Sequence, residues 1–132
     1  ALPADFYLSA GIAYTRGKND TEHRNLPEIP PFSGQLGLRY DNDSFFAEIE
    51  GVFTSTQDKV DELLNEQETS GWAIANLKVG YTCKGLKLFA GVRNLFDKFY
   101  YEHLSSNRDP FSSGIAVPEP GRTVYAHMQY AF

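Results

Sequence analysis

Three histidines, one methionine and one cysteine are the side chains of this sequence best suited to hold a copper or zinc ion. His127 and Met128 are adjacent, but successive side chains of a strand point to opposite faces, so these two cannot ligate one ion. Cys83 stands alone in a Cys-Lys-Gly turn, where an inert thiol is expected. His103 follows Tyr101 in a long loop and could contact a bound molecule. Because no set of donors converges, the sequence predicts no metal site.

Paired carboxylates are the other chemical feature of the chain. Glu48 and Glu50 lie on one face of a predicted strand, and such a pair can act as acid and base when a pocket raises the pKa of one of them. No nucleophile elbow or phosphate loop accompanies them, so charge facing water is the simpler interpretation. The sequence predicts no catalytic residue, no cofactor and no enzyme. A net charge of −5 also argues against a nucleic-acid partner.

Six segments alternate between apolar and smaller or polar residues with a period of two, which predicts β-strands. In the last of them, Val124, Met128 and Tyr130 share one face and Thr123 and His127 share the other. The segments are 6–14, 35–41, 45–54, 73–81, 86–93 and 122–132. Every apolar stretch is far shorter than the ~20 residues of a membrane helix, so any membrane crossing must use strands.

The connections between these segments alternate between long and short. Long connections run over 17–32, 55–71 and 102–121, whereas 42–44 and 84–85 are tight turns. Outer-membrane barrels have such long extracellular loops and short periplasmic turns, whereas soluble meanders keep most hairpins short. The acidic stretch 57–68 is expected to be a solvated loop face with at most a short helix.

Aromatic residues end several apolar faces close to a turn, as an interfacial girdle would. They are Tyr14, Tyr40, Phe45, Phe53, Tyr81, Tyr130 and Phe132. The sequence therefore predicts an all-β fold, an antiparallel transmembrane β-barrel segment of about six strands. It also predicts outer-membrane lipid as a partner.

Several motifs resemble the C-terminal end of TonB-dependent outer-membrane receptors. They are Gly91-Val-Arg-Asn-Leu-Phe-Asp-Lys-Phe-Tyr100, Val117-Pro-Glu-Pro-Gly-Arg122 and Tyr130-Ala-Phe132, with Ile29-Pro-Pro31 and Glu68-Thr-Ser-Gly-Trp72 upstream. The resemblance implies uptake of a metal-containing nutrient: a ferric siderophore, haem, cobalamin, copper or zinc. It also implies a 22-stranded barrel with an N-terminal plug and a box that engages TonB. Residues 1–132 show neither plug nor box, so we interpret the whole chain as the C-terminal part of the barrel.

The resemblance also suggests roles for individual residues. Tyr130 and Phe132 would be the signal read by the barrel-assembly machinery. A structural role is expected for the motif residues Asn94, Leu95, Phe96, Asp97, Tyr100, Pro120, Gly121 and Arg122. Candidate cargo contacts are His103, Arg108 and Tyr101.

Two other classes of protein remain open from the residues alone. Six strands leave two unpaired edges, which lipid does not tolerate, so further strands are expected. The resemblance implies that the partners are the rest of the receptor barrel and the plug, and TonB only through the missing N-terminal part. A small self-closed structural or adhesive outer-membrane barrel would need two further strands. A soluble ligand-binding β-barrel would bury the apolar faces instead, and dependence on detergent would separate it from the membrane alternatives.

Overall fold

The computed structural model describes residues 5–64, 66–107 and 117–131 and consists mainly of one antiparallel sheet. The long strands are β1 (Phe6–Ala13), β4 (Ser33–Asp41), β5 (Phe45–Thr54), β6 (Trp72–Cys83), β7 (Leu86–Arg93) and β8 (Thr123–Tyr130). They pair in the order β1-β4-β5-β6-β7-β8, so each long strand pairs with the next one along the chain. All six predicted strands are confirmed, with ends that differ by at most two residues.

Short elements lie within the long connections, which we call loop 1 (14–32), loop 2 (55–71) and loop 3 (94–122). Loop 1 contains a small hairpin of β2 (Lys18–Asn19) and β3 (Arg24–Asn25). Loop 2 contains a 3-10 helix at Glu62–Leu64, and loop 3 contains α1 (His103–Asn107). The hairpin was not predicted, because strands of two residues have no readable period. No helix in the described part of the chain has the length and apolarity needed to cross a membrane.

The register of the sheet collects the apolar side chains on one side, which we call the outward face. One row crosses all six strands and consists of Leu8, Leu38, Ile49, Leu77, Val92 and Val124. These side chains are not packed into a core: Ile12 is 80% exposed, and the described residues contain no buried apolar side chain. A continuous apolar surface of this kind requires an apolar environment around it.

Aromatic rings mark both edges of the outward face. At the edge with the short turns, the ring centroids of Phe6 and Tyr40 are 5.1 Å apart, and those of Tyr40 and Phe45 are 6.5 Å apart. At the edge with the long loops, Phe32 and Phe53 are 6.0 Å apart. The apolar face is therefore bounded on two sides by rings, which is the arrangement of an interfacial girdle.

Tight turns connect the strands at the edge opposite the long loops. Lys84 and Gly85 both have positive φ, 42° and 84°, and such a two-residue turn matches the twist of a hairpin. In the other turn, the Asn42 side chain accepts a hydrogen bond from the backbone N–H of Phe45 (2.9 Å). Cys83 is exposed beside the first of these turns.

Candidate functional site

Charged side chains line the face of the sheet opposite the apolar one, which we call the inner wall. Arg39, Glu48 and Lys78 are neighbours on three adjacent strands. Glu48 lies 3.1 Å from the guanidinium of Arg39 and 3.8 Å from the ammonium of Lys78. The amide of Asn76 donates a hydrogen bond of 2.9 Å to Glu50. Because each carboxylate has its own partner, Glu48 and Glu50 are arranged as a polar wall rather than as an acid and base pair.

Two glycines make room for aromatic rings on the inner wall. A Cβ atom at Gly80 would lie 2.1 Å from the ring of Phe46, and one at Gly91 would lie 2.4 Å from the hydroxyl of Tyr125. The guanidinium of Arg39 lies over the ring of Phe46, 3.9 Å from the ring centroid. The wall therefore combines charge with aromatic surface.

The carboxylate of Glu66 in loop 2 meets groups from all three long loops. One oxygen accepts hydrogen bonds from the backbone N–H of Glu28 in loop 1 (2.8 Å) and lies 3.2 Å from Nε2 of His103 in loop 3. Its other oxygen accepts from the backbone N–H of Asp61 in its own loop (2.7 Å). We call this group of contacts the loop junction.

An ion pair between a partly exposed arginine and a buried aspartate lies beside Glu66 and also joins two loops. Asp61 is 1% exposed and accepts hydrogen bonds from the guanidinium of Arg24 and from the backbone N–H of Leu63. The hydrogen bond to Glu22 and the charge of Asp61 raise the pKa of Arg24, which stays protonated. The expectation of a solvated acidic face over 57–68 is therefore wrong for Asp61 and Glu66, because a cation and backbone N–H groups compensate for their burial.

His103 lies at the centre of the loop junction rather than on its surface. The residue is 2% exposed, and its Nδ1 lies 2.8 Å from the hydroxyl of Thr69 in loop 2. A cargo molecule would reach this ring only after the loops rearranged, so the proposed cargo contact stays a prediction. Tyr101, the second candidate, is half-buried and packs edge-on against Phe99 with ring centroids 5.3 Å apart.

The residues of the Asn-Leu-Phe-Asp motif form a closed turn at the start of loop 3. Asn94 is 2% exposed and has φ of 51°; its amide donates to the carbonyl of Lys98 (2.7 Å) and accepts from the Lys98 N–H (2.8 Å). The backbone N–H of Asn94 donates to Asn76 on the inner wall, and Leu95 N–H donates to the carbonyl of Ala75. The side chain of Asn94 thus replaces the backbone hydrogen bonds that the turn cannot make.

The second half of the motif joins the two ends of loop 3. Asp97 accepts a hydrogen bond of 2.7 Å from the backbone N–H of Arg122. A Cβ atom at Gly121 would lie 2.7 Å from the same carboxylate, so a glycine permits this close approach. Phe96 is 77% exposed and Pro120 is exposed as well, so neither packs into the turn.

Tyr100 anchors the first end of loop 3 to the sheet. Its ring lies against Trp72, with centroids 4.4 Å apart, and its carbonyl accepts from the N–H of Glu119 (3.0 Å). Partial burial, followed by the charges of Glu119 and Glu102, raises the pKa of Tyr100, so the phenol stays neutral.

The remaining predicted site residues are placed as follows. Arg108 and Phe132 lie outside the described residues. Tyr130 is 61% exposed and lies on the outward face near the short turns. Within the described ranges, no three His, Cys, Asp or Glu side chains are grouped so that they could hold a metal ion.

Comparison with known proteins identifies the class to which this sheet belongs. Residues 3–95 match the family described as TonB dependent receptor-like, beta-barrel. The chain belongs to this family, and its sheet is part of a TonB-dependent receptor barrel. A search of curated protein sequences finds no match.

Solved structures give more particular likenesses. The chain is 32% identical to the copper transporter OprC, with a TM-score of 0.88. The match covers 100% of this chain and 22% of the OprC chain. It is 26% identical to the ferric enterobactin receptor PfeA of Pseudomonas aeruginosa, with a TM-score of 0.73, over 99% of this chain and 20% of that one. The siderophore receptor PirA of Acinetobacter baumannii shares the fold, with a TM-score of 0.70 and 22% identity. This match covers 98% of this chain and 20% of the PirA chain. The chain spans about a fifth of the length of these receptors.

Proposed function

We propose that this chain is the closing portion of the barrel of an outer-membrane receptor that imports a metal-containing nutrient with energy delivered through TonB. The observation that carries the proposal is the division of one sheet into an uncharged, exposed outward face and a charged inner wall. A lipid-facing barrel with a polar interior has this division, and a soluble barrel would bury the apolar side chains. Family membership supports the same function.

The lengths of the connections support an orientation for the two ends of the sheet. Tight turns lie on the periplasmic side and the three long loops lie on the extracellular side, as in other barrels of this kind. In this proposal the loop junction belongs to the surface that cargo first meets. The inner wall faces the lumen, where the plug supplied by the rest of the receptor would lie.

Copper is the cargo that we propose to test first. Identity is higher to the copper transporter OprC, at 32%, than to the ferric enterobactin receptor PfeA, at 26%. The other cargo classes implied by the resemblance are ferric siderophores, haem, cobalamin and zinc. Ligands for the metal would come from other parts of the receptor. Arg108, which lies outside the described residues, is proposed as a contact to the anionic part of a metal chelate.

The experiment compares metal uptake by cells that lack the receptor, cells that contain it and cells that contain it without functional TonB. The proposal expects receptor-dependent accumulation of copper that disappears when TonB is inactivated. Accumulation of ferric siderophore instead would keep the import function and change the cargo. Accumulation that is independent of TonB for every metal tested would overturn the proposed mechanism.

A further inference from the structure

Described hydrogen bonds connect loops 1 and 3 only by way of loop 2, and Glu66 takes part in both connections. Its carboxylate accepts from the Glu28 N–H of loop 1 and contacts the His103 ring of loop 3 through the same oxygen. Residues 28 and 103 are far apart in sequence, so this single oxygen joins distant parts of the chain. A change in one of its contacts therefore alters the position of the acceptor for the other.

Burial makes these contacts demanding. The side chain of Glu66 is 5% exposed and that of His103 is 1% exposed. A carboxylate can only accept hydrogen bonds, and a buried N–H that loses its acceptor is not compensated by water. The contacts of Glu66 with the ring of His103 and with the N–H of Asp61 are therefore costly to break, because both of these residues are buried. Glu28 is exposed, so its N–H passes to water when it loses the Glu66 carboxylate.

Additional contacts fix loop 2 to each of its neighbours. Arg24 of loop 1 pairs with the buried Asp61, and the amide of Gln57 donates a hydrogen bond of 2.6 Å to the carbonyl of Ile29. On the other side, the Thr69 hydroxyl contacts Nδ1 of His103. Loop 2 is thus held on both sides, and among the described hydrogen bonds Glu66 is the side chain that reaches both neighbouring loops.

We propose that Glu66 is a positioning residue that couples the three extracellular loops, so that they open and close as one unit. Displacement of His103 in loop 3 is transmitted through the Glu66 carboxylate to the Glu28 N–H in loop 1. The coupling itself does not depend on the cargo. Only its role at the entrance of an importer rests on the proposed function.

Hydrogen exchange in the full receptor tests the coupling. His103→Phe keeps a ring of similar size and removes both nitrogens that contact loop 2. We expect the backbone N–H of Glu28, which the described contacts do not join to His103 directly, to exchange roughly tenfold faster in this variant, within the usual range of coupling between sites. Faster exchange confined to loops 2 and 3 would overturn the proposal.

Two further variants complete the test. Glu66→Gln replaces one accepting oxygen by a donor and should accelerate exchange in all three loops while the strands keep their protection. Glu68→Gln is the matched control, since Glu68 is an exposed glutamate of the same loop with no hydrogen bond or ion pair among the described residues. Equal acceleration of exchange by Glu66→Gln and Glu68→Gln would also overturn the proposal.

Thr69→Val takes the place of His103→Phe if that variant does not insert into the membrane. It removes only the hydroxyl that contacts Nδ1 of His103, and the same criterion at Glu28 applies. Uptake is measured separately. If the unmodified receptor imports no copper but the variants accelerate exchange at Glu28, the proposed function fails and the coupling stands. If the unmodified receptor imports copper and the variants leave exchange at Glu28 unchanged, the coupling fails and the proposed function stands.

Discussion

The outward face of the sheet and the loop junction distribute their residues in opposite ways. On the outward face, Ile12 is 80% exposed and Met128 is 69% exposed, although both are apolar. In the loop junction, Asp61 and His103 are 1% and 2% exposed, although both are polar. The usual arrangement of a soluble protein is reversed in the first region, and the second region buries only polar groups that have partners.

This difference shows that two kinds of stabilisation operate in one small chain. Strand pairing is independent of an apolar core, because backbone hydrogen bonds join each strand to its neighbours in the sheet. In the proposed receptor, lipid surrounds the outward side chains. In the loops, backbone hydrogen bonds form only short local elements such as the hairpin of β2 and β3. The loops are fixed instead by specific side-chain contacts such as Glu66 to Glu28, in which the loss of a single atom matters.

A charge on the outward face should produce the largest effect. Ile49→Arg places a cation in the middle row of that face, where arginine in a membrane barrel costs about 2–4 kcal/mol. The measurement is the free energy of unfolding of the receptor in lipid. Gln35→Arg adds the same side chain to the inner wall and should cost less than about 1 kcal/mol. Equal losses in the two variants would contradict the assignment of the faces.

Removal of the Asn94 side chain should come next. Asn94→Ala leaves the N–H and carbonyl of Lys98 without their partners. It also places alanine, which tolerates positive φ less well than asparagine, at a φ of 51°. Together these two effects cost about 2 kcal/mol. Protease cleavage of loop 3 should accelerate roughly 30-fold, since 1.4 kcal/mol is a factor of ten. Asn94→Gly loses the same hydrogen bonds but tolerates the backbone angle, so its effect should be smaller. If Asn94→Gly accelerated cleavage as much as Asn94→Ala, the positive φ at this position would not contribute to the loss.

Loss of the Arg24 cation should have a smaller effect, confined to the loops. Arg24→Gln leaves the buried carboxylate of Asp61 without its ion partner, and we expect cleavage of loops 1 and 2 by protease to accelerate about fivefold. Arg16→Gln changes an exposed arginine of the same loop that has no ion pair within the described ranges. If both variants are cleaved alike, the ion pair does not hold the loops.

The smallest effect is expected on the inner wall. Lys78 is 46% exposed and 3.8 Å from Glu48, so Lys78→Gln should change the free energy of unfolding by less than about 1 kcal/mol. Lys87→Gln, on the same face, provides the comparison. A loss comparable to that of Ile49→Arg would mean that the inner wall is not in contact with water.

The strands were predictable from the sequence, whereas the loop junction was not. Alternation between residues such as Phe45, Ala47 and Ile49 and their polar neighbours is local, so it can be read without knowing the fold. The contact from Glu66 to Glu28 spans 38 residues, and that from Glu66 to His103 spans 37. Nothing local distinguishes Glu66 from Glu68, and an acidic stretch ordinarily indicates a solvated surface.

The motif at the start of loop 3 was predictable in part, unlike the long strands, which were readable, and the loop junction, which was not. Its residue types, Asn94 and Asp97, are those that cap turns, and the resemblance to known receptors drew attention to them. The partners could not be read from the sequence, because the N–H of Arg122 that Asp97 binds lies 25 residues away. Knowledge of the strand pairing is required to bring the two ends of loop 3 together.

The intact mass of the detergent-extracted outer-membrane species that contains these strands tests the central claim most directly. Because the chain spans about a fifth of the receptors it resembles, we predict a species roughly five times its 14.8 kDa, as one polypeptide or with a tightly bound partner. Such a species supplies the strands that β1 and β8 require at their open edges. A lone species of 14.8 kDa would contradict the account and favour a self-closed barrel.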